Sequence, residues 1–414
     1  MWKRVIMVLT VVVCAKEIYA QVSLQAYRDS VYVFSTEIII SEEKLSQSYS
    51  TMKRRRTDFY PSLSAQTTYQ LGFRRFGEEK LWNFALVPQI SQRILGGGVR
   101  AMYQQAQADV RAGFYNAQYV KTEMLYQADY AYWALSAMGL YRRAVEEYVE
   151  IIGSLAQIVR ERYAEGYVAK SELLQVEARL SEAKFALIES QNNYDVALHR
   201  FNNLRGIYEP EEVQLSESIL DSIEMPQRVA FEEIVEMRYD LQSAKERIRS
   251  AEFGVGAVQA RYLPKVELSV SGSWRTYSPN MANKTYLDGA LMLGINVPIF
   301  HWGERRKAVA AARSEVRIAK NMWQQAKDDM QQEEADGWST LQNSLSQMRS
   351  SLRNLEIAGE NLQISTYSYN EGRATLLEVL QAQISWMQIY TNAITARFNY
   401  AVAVSAYRFI TATY

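Results

Sequence analysis

The chain repeats itself, and the repeat fixes most of what it can fold into. Tyr60-Pro61 recurs as Leu263-Pro264, Gly98-Val99-Arg100 as Gly303-Glu304-Arg305, and Glu165-Gly166 as Glu371-Gly372. Past the last two glycines come Glu172-Leu173-Leu174-Gln175 and Glu378-Val379-Leu380-Gln381. Four landmarks in one order, 203 to 206 residues apart, indicate duplication of one structural unit.

Within each copy the hydrophobic period changes. Proline stands only at 61, 88, 210, 226, 264, 279 and 298, so 89–209 and 299–414 are free to form very long helices. Tyr141, Val145, Tyr148, Ile152, Leu155 and Val159 step by alternate fours and threes, as do Leu341, Leu345, Met348, Leu352, Leu355 and Leu362. Leu173 to Phe201 carries the same rhythm, and Leu377, Leu380, Ile384, Met387, Ile394 and Phe398 are expected to continue it. A 3.5-residue repeat means helices supercoiling on one another.

Four other segments alternate. Leu63, Tyr69, Leu71 and Phe73 share one parity, as do Val266, Leu268, Val270 and Trp274, and then Leu287, Leu291, Leu293, Ile295 and Val297. Residues 82–95 are a weaker case. Together they predict four strands of about ten to thirteen residues in two hairpins, turning around 74–81 and 275–285. Trp82, Trp274, Tyr277 and Tyr286 fall near the hairpin ends. Length, alternation and terminal aromatics match a barrel strand in an outer membrane, although alternation alone also fits a small soluble sheet.

Met1 to Ala20 has the parts of a secretory signal: Lys3 and Arg4, the apolar run Val5–Val13, and a small residue at Ala20. The only cysteine, Cys14, lies inside it behind valines, so no lipid anchor is expected and the mature chain is free of cysteine. No later segment has 18 uncharged apolar residues, so a membrane would have to be entered by strands. Charge and composition remove other classes. The 46 Lys+Arg balance 46 Asp+Glu, without the basic surplus of a nucleic-acid binder. Two histidines leave little material for a metal site, and His199 and His301 lack a nearby ligand set or catalytic partner. Gly96-Gly97-Gly98 lacks the Lys-Ser/Thr of a phosphate loop and reads as a turn from strand to helix, and Gly254 and Gly256 lie in a helical stretch without a cofactor fingerprint. Lys53-Arg54-Arg55-Arg56 and Arg305-Arg306-Lys307 abut strands and read as headgroup contacts or solvated faces. Catalytic, cofactor-binding and metal residues are therefore all expected to be absent.

Four strands cannot close a barrel in lipid, because open edges would leave backbone groups unpaired at several kcal/mol each. Other copies of the chain must complete it: a barrel needs at least about eight strands, so a dimer is the minimum and a trimer supplies twelve, with a water-filled interior. The unit resembles the TolC family of outer-membrane efflux proteins over residues 22–414. Ser23-Leu24, Tyr60-Pro61-Ser62-Leu63-Ser64, Arg238-Tyr239-Asp240-Leu241, Val297-Pro298-Ile299-Phe300 and the two Gly-containing helix breaks carry the resemblance. It implies a mainly α chain forming a homotrimer, with a 12-stranded β-barrel in outer-membrane lipid joined to a periplasmic α-barrel of coiled-coil helices. It also implies two partners: a periplasmic adaptor, and an inner-membrane pump of the RND or ABC type. The expected organisation is a signal at 1–20 and a first repeat at 21–207, with strands about 61–95 and a helical hairpin 99–205. A linker at 208–228 leads to a second repeat at 229–414, with strands about 264–300 and a hairpin 303–412. Residues 206–227 hold six acids and no base; charge alone reads them as a solvated linker, the resemblance as a small belt.

Tyr163–Ser171 and Tyr369–Leu377 read as hairpin turns, with Gly166 and Gly372 at positive φ. The resemblance places the adaptor-docking tips on Gly166, Tyr167, Val168 and Ala169 and on Gly372, Arg373, Ala374 and Thr375. Tyr167 and Val168 are expected to be exposed. Relatives often carry two acids just past the second tip as an entrance constriction selecting cations. Glu378 fits that pattern and Gln381 departs from it, leaving one acid per copy. A secreted coiled-coil scaffold or adhesin without a pore is the other reading of the helices alone. Methionines are scattered rather than grouped with histidine, so copper export gains no support.

Overall fold

The computed structural model describes residues 21–72, 81–208, 211–277 and 285–414. The expected signal with Cys14, Phe73 and the centres of both hairpin turns lie outside the described residues, as do the side chains of Trp82, Tyr277 and Tyr286. In chain order the elements are α1 (Leu24–Phe34), α2 (Thr36–Thr57), β1 (Ser62–Gly72), β2 (Leu81–Leu95), α3 (Val99–Ala164) and α4 (Lys170–Leu204). Then come α5 (Phe231–Met237), α6 (Tyr239–Ala260), β3 (Lys265–Tyr277), β4 (Thr285–Asn296), α7 (Glu304–Asn370) and α8 (Leu376–Ile410).

The duplication reappears in the lengths. Helices α2 and α6 have 22 residues each, α3 and α7 have 66 and 67, and α4 and α8 have 35 each. At ~1.5 Å per residue, α3 and α7 each run for about 100 Å. Two matched breaks precede them. Ser35 between α1 and α2, and Arg238 between α5 and α6, both leave the helix for extended backbone at ψ 120°. The buried Ser35 hydroxyl then accepts the Ile38 N–H and restarts α2. None of the described helices is long and apolar enough to cross a membrane.

The described chain forms two compact units, one from the stretches up to Ile39, Tyr119–Arg238 and Asp329–Tyr414, the other from Ile40–Gln118 and Tyr239–Asp328. The second holds a single antiparallel sheet in the order β1-β2-β3-β4. At 15 residues β2 exceeds the expected strand length, and its register shifts between Arg93 and Leu95. The pairing sorts side chains by face. Leu63 lies opposite Ile90, Tyr69 opposite Phe84, Leu268 opposite Leu293, and Val270 opposite Leu291. On the other parity Ser62 meets Ser91, Ser64 meets Gln89, Ser271 meets Ala290, and Ser273 meets Asp288. One face is therefore predominantly apolar across all four strands and the other predominantly polar.

Pro88 lies in a central strand, where a proline has no N–H for the ladder. It keeps its place opposite Ala65 of β1, while the β2–β3 pairing skips from Leu86 to Gln89. On the β3 side Gly272 lies beside the ring, where a Cβ would stand in ordinary contact at 3.5 Å from Pro88 Cγ. The strand–helix turn is made by Gly96, Gly97 and Gly98, all at φ between 69° and 85°. Gly254 and Gly256 face α3, where added Cβ atoms would lie in ordinary contact at 3.5 Å from Gln105 and 3.4 Å from Ala101.

In the first unit α3 and α8 supply most of the core. Tyr27 stacks on Phe201 at 3.9 Å and donates to its carbonyl, fastening α1 to α4. The acidic segment after α4 is packed rather than trailing in solvent. Ile219 is fully buried, with Val213, Leu215 and Ile223 against the same core. Glu217 accepts hydrogen bonds from Tyr132 Oη at 2.5 Å and from the Leu24 N–H at 2.9 Å, so this segment also caps α1. Two buried acids lie at the repeat spacing. Asp129 of α3 takes Arg28 at 2.6 and 2.7 Å, Ser405 at 2.7 Å and Tyr414 at 3.1 Å. Glu334 of α7 takes two bonds from Arg228 at 3.0 Å and one from Tyr407 at 3.2 Å.

Candidate functional site

Each long helix ends in the same motif. After α3, Gly166 at φ 81° donates to the Tyr163 carbonyl and Tyr167 to the Arg162 carbonyl. After α7, Gly372 at φ 73° donates to Tyr369 and Arg373 to Ser368. Both are Schellman turns, with glycine at the one position that needs left-handed backbone. Nothing lies within 4 Å of a Cβ placed on either glycine, so backbone conformation rather than space selects the residue.

The two turns share one core. Leu155, Ala156 and Val159 of α3, Val176 of α4, Tyr369 of α7 and Leu376, Val379 and Leu380 of α8 form a single apolar cluster. Val168 from the first turn and Ala374 from the second both pack against it. That corrects the expectation for Val168: it is half-buried and has a partner. Tyr167, by contrast, is 77% exposed. Arg162 donates to the Asn370 carbonyl at 3.2 Å and lies over the Tyr369 ring, tying α3 to the end of α7.

The turns differ in how they start the next helix. Thr375 caps α8 through a complete capping box: its hydroxyl accepts the Glu378 N–H and the Glu378 carboxylate accepts the Thr375 N–H at 2.9 Å. Ala169, at the same place before α4, makes no side-chain cap. The Thr375-Leu-Leu-Glu378 spacing carries this signal in the sequence beside the charge of Glu378. Glu378 and Gln381 are both exposed, one turn apart. The α8 seam starts one residue earlier than expected: Leu376 is buried and Leu377 is 68% exposed. Among the described residues no group of three or more His, Cys, Asp or Glu could hold a metal.

Unpartnered apolar residues remain on the outer helices of this unit. On α4, Leu174, Phe185 and Ile188 are 54 to 71% exposed, and on α7, Ile357, Ile364 and Tyr367 are 57 to 65% exposed. Both rows keep helical spacing and are left uncovered by the described residues.

The outer membrane efflux protein family model matches residues 41–206 and 231–413. The chain belongs to this family. Membership places the chain in the outer membrane with its long helices in the periplasm. Solved structures share its fold at low identity. CusC, described in terms of transmembrane channel formation, is 17% identical with TM-score 0.83, covering 95% of this chain and 92% of its own. The Campylobacter jejuni outer membrane channel CmeC is 16% identical with TM-score 0.82, covering 94% and 85%. The open state of the Neisseria gonorrhoeae outer membrane channel MtrE is also 16% identical with TM-score 0.82, covering 94% and 88%. A search of curated proteins finds no match.

Proposed function

We propose that three copies of this chain form a passive exit duct of a tripartite efflux or type I secretion system. A periplasmic adaptor engages the tips Gly166–Ala169 and Gly372–Thr375, and an RND or ABC pump in the inner membrane drives transport. The observation that carries this reading is the sheet, apolar on one face and polar on the other, with β1 and β4 as unpaired edges. In lipid such edges demand partners, and the apolar rows on α4 and α7 demand them as well. Pairing the outer strands and helices between copies meets both needs and lines the interior with the polar face. The resemblance supports three copies, and with them twelve strands.

At the tips, the shared core makes the two turns one surface, and the exposed Tyr167 gives an adaptor an apolar anchor. Light scattering of the detergent-solubilised protein should report a trimer that conducts ions in a planar bilayer; a monomer without conductance would sink the duct. Replacing Gly372 by Pro removes an N–H that closes the turn and forbids its φ, so inserted trimers should persist while efflux is lost. Normal drug resistance in those cells would refute the tip assignment.

A further inference from the structure

The duct makes no use of two basic runs. Arg54, Arg55 and Arg56 fill the last turn of α2, and Arg305, Arg306 and Lys307 fill the first turn of α7. Except for the half-buried Arg55 they are exposed, and among the described residues only Arg55 has a carboxylate near it, Asp58 at 3.9 Å. The whole chain has zero formal net charge, so this is a local concentration and not a general surplus. The α7 run also sits at a helix N-terminus, where the macrodipole disfavours cations and Glu304 is one acid against three bases in the first turn. An external anion offsets that cost.

The same level of this unit carries an exposed apolar collar. Tyr60, Leu95, Ile299, Phe300 and Trp302 are 56 to 92% exposed. Trp302 takes φ 46°, which a bulky residue rarely adopts, and holds its ring 91% exposed and 4.9 Å from that of Phe300. Its backbone repeats the turn position of Gly97, at φ 69°, and an indole at a membrane–water boundary accounts for a bulky exposed ring there. Beside the end of β2 an open cavity of about 710 Å³ is lined by Phe59, Ile94 and Leu95 together with Arg93 and Arg100.

We infer that this basic and aromatic collar binds anionic phospholipids of the periplasmic leaflet. The lipid phosphates lie on the arginine and lysine runs, and the acyl chains lie against the apolar residues. The placement fits, because both runs border the sheet in the chain: Arg56 stands six residues before the start of β1 at Ser62, and Arg305 nine residues after the end of β4 at Asn296.

The test uses the full-length protein in nanodiscs of phosphatidylethanolamine with a minor fraction of phosphatidylglycerol. The lipid retained after gentle detergent extraction is then quantified. Phosphatidylglycerol should be enriched roughly threefold or more over its bulk share. Enrichment should fall to the bulk share in a variant combining Arg54→Gln, Arg55→Gln, Arg305→Gln and Arg306→Gln, and in wild type at high salt. Absence of enrichment, or enrichment indifferent to salt, overturns the inference even if the variant fails to assemble. Loss of enrichment to inorganic phosphate beyond that caused by sodium chloride of equal ionic strength would reassign the surface to free phosphate and overturn the lipid reading. The inference stands on the membrane placement alone, so its readout needs neither conductance nor an adaptor.

Discussion

Asp129 and Glu334 are the least expected residues of the chain: acids in long amphipathic helices that are buried instead of facing water. Each is gripped by an arginine that precedes it in the chain by 101 or 106 positions, Arg28 on α1 and Arg228 just before α5. Removing one partner of a buried pair strands the other charge. Asp129→Asn should therefore destabilise the helical unit by about 3–5 kcal/mol, since Arg28 is itself largely buried. Thermal loss of helical signal measures it, and a cost well under 1 kcal/mol would show that the pair is dispensable. Glu334 gives a pH signature. Hydrogen bonds from Arg228, before any other cause, hold its carboxyl below the usual carboxylate range. Its contribution is therefore complete above that range and is lost as pH falls through its own lower value. Glu334→Gln should flatten the acid side of a stability-against-pH curve, and parallel curves for the two proteins would contradict this. Glycines 166 and 372 were legible in the sequence because a turn after a long helix asks for one particular backbone conformation. The buried acids were not, because a charge in a heptad ordinarily marks the solvent flank. Only the distant α1 and the segment before α5 turn these two inward.

At the scale of elements, the sequence shows existence and type better than phase. The long helices, the strand pairs and both turns follow from where proline is absent and where the hydrophobic period changes. The start of α8 does not, because Leu376 and Leu377 are interchangeable to a pattern. The capping box on Thr375 decides which of them faces inward. Pro88 is a second case: a rule against proline in central strands argues for a break, and the strand instead keeps its β1 pairing and interrupts the ladder only locally on the β3 side. The caps make a matched pair of predictions. Thr375→Ala should cost the α8 terminus about 1 kcal/mol. Ala169→Ser would create Ser-x-x-Glu with Glu172 and stabilise α4 by a similar amount, about 1 kcal/mol. Hydrogen exchange of the first-turn amides of α4 and α8 reads both, and unchanged protection in either variant would count against the cap as the controlling feature.

For the whole molecule, the decisive fact is an incomplete surface repeated in two materials. The sheet has edges without partners and the outer helices have apolar rows without partners, so the chain is a segment of a closed wall. This need for other copies could be read from the strand count alone. The chemistry of the entrance could not, because it depends on what one residue does in each copy. Glu378 serves its own helix as a cap, and in a trimer three such acids would face a narrow mouth. A glutamine at that position can also complete a capping box, so Glu378→Gln removes charge while keeping the turn. If the ring of Glu378 selects ions, the variant should lose most of its cation preference in reconstituted channels with no change in exchange at the α8 terminus. Gln381→Glu, which restores the second acid of the pattern, should raise that preference. Selectivity that ignores both substitutions would confine Glu378 to capping and place the constriction elsewhere along the duct.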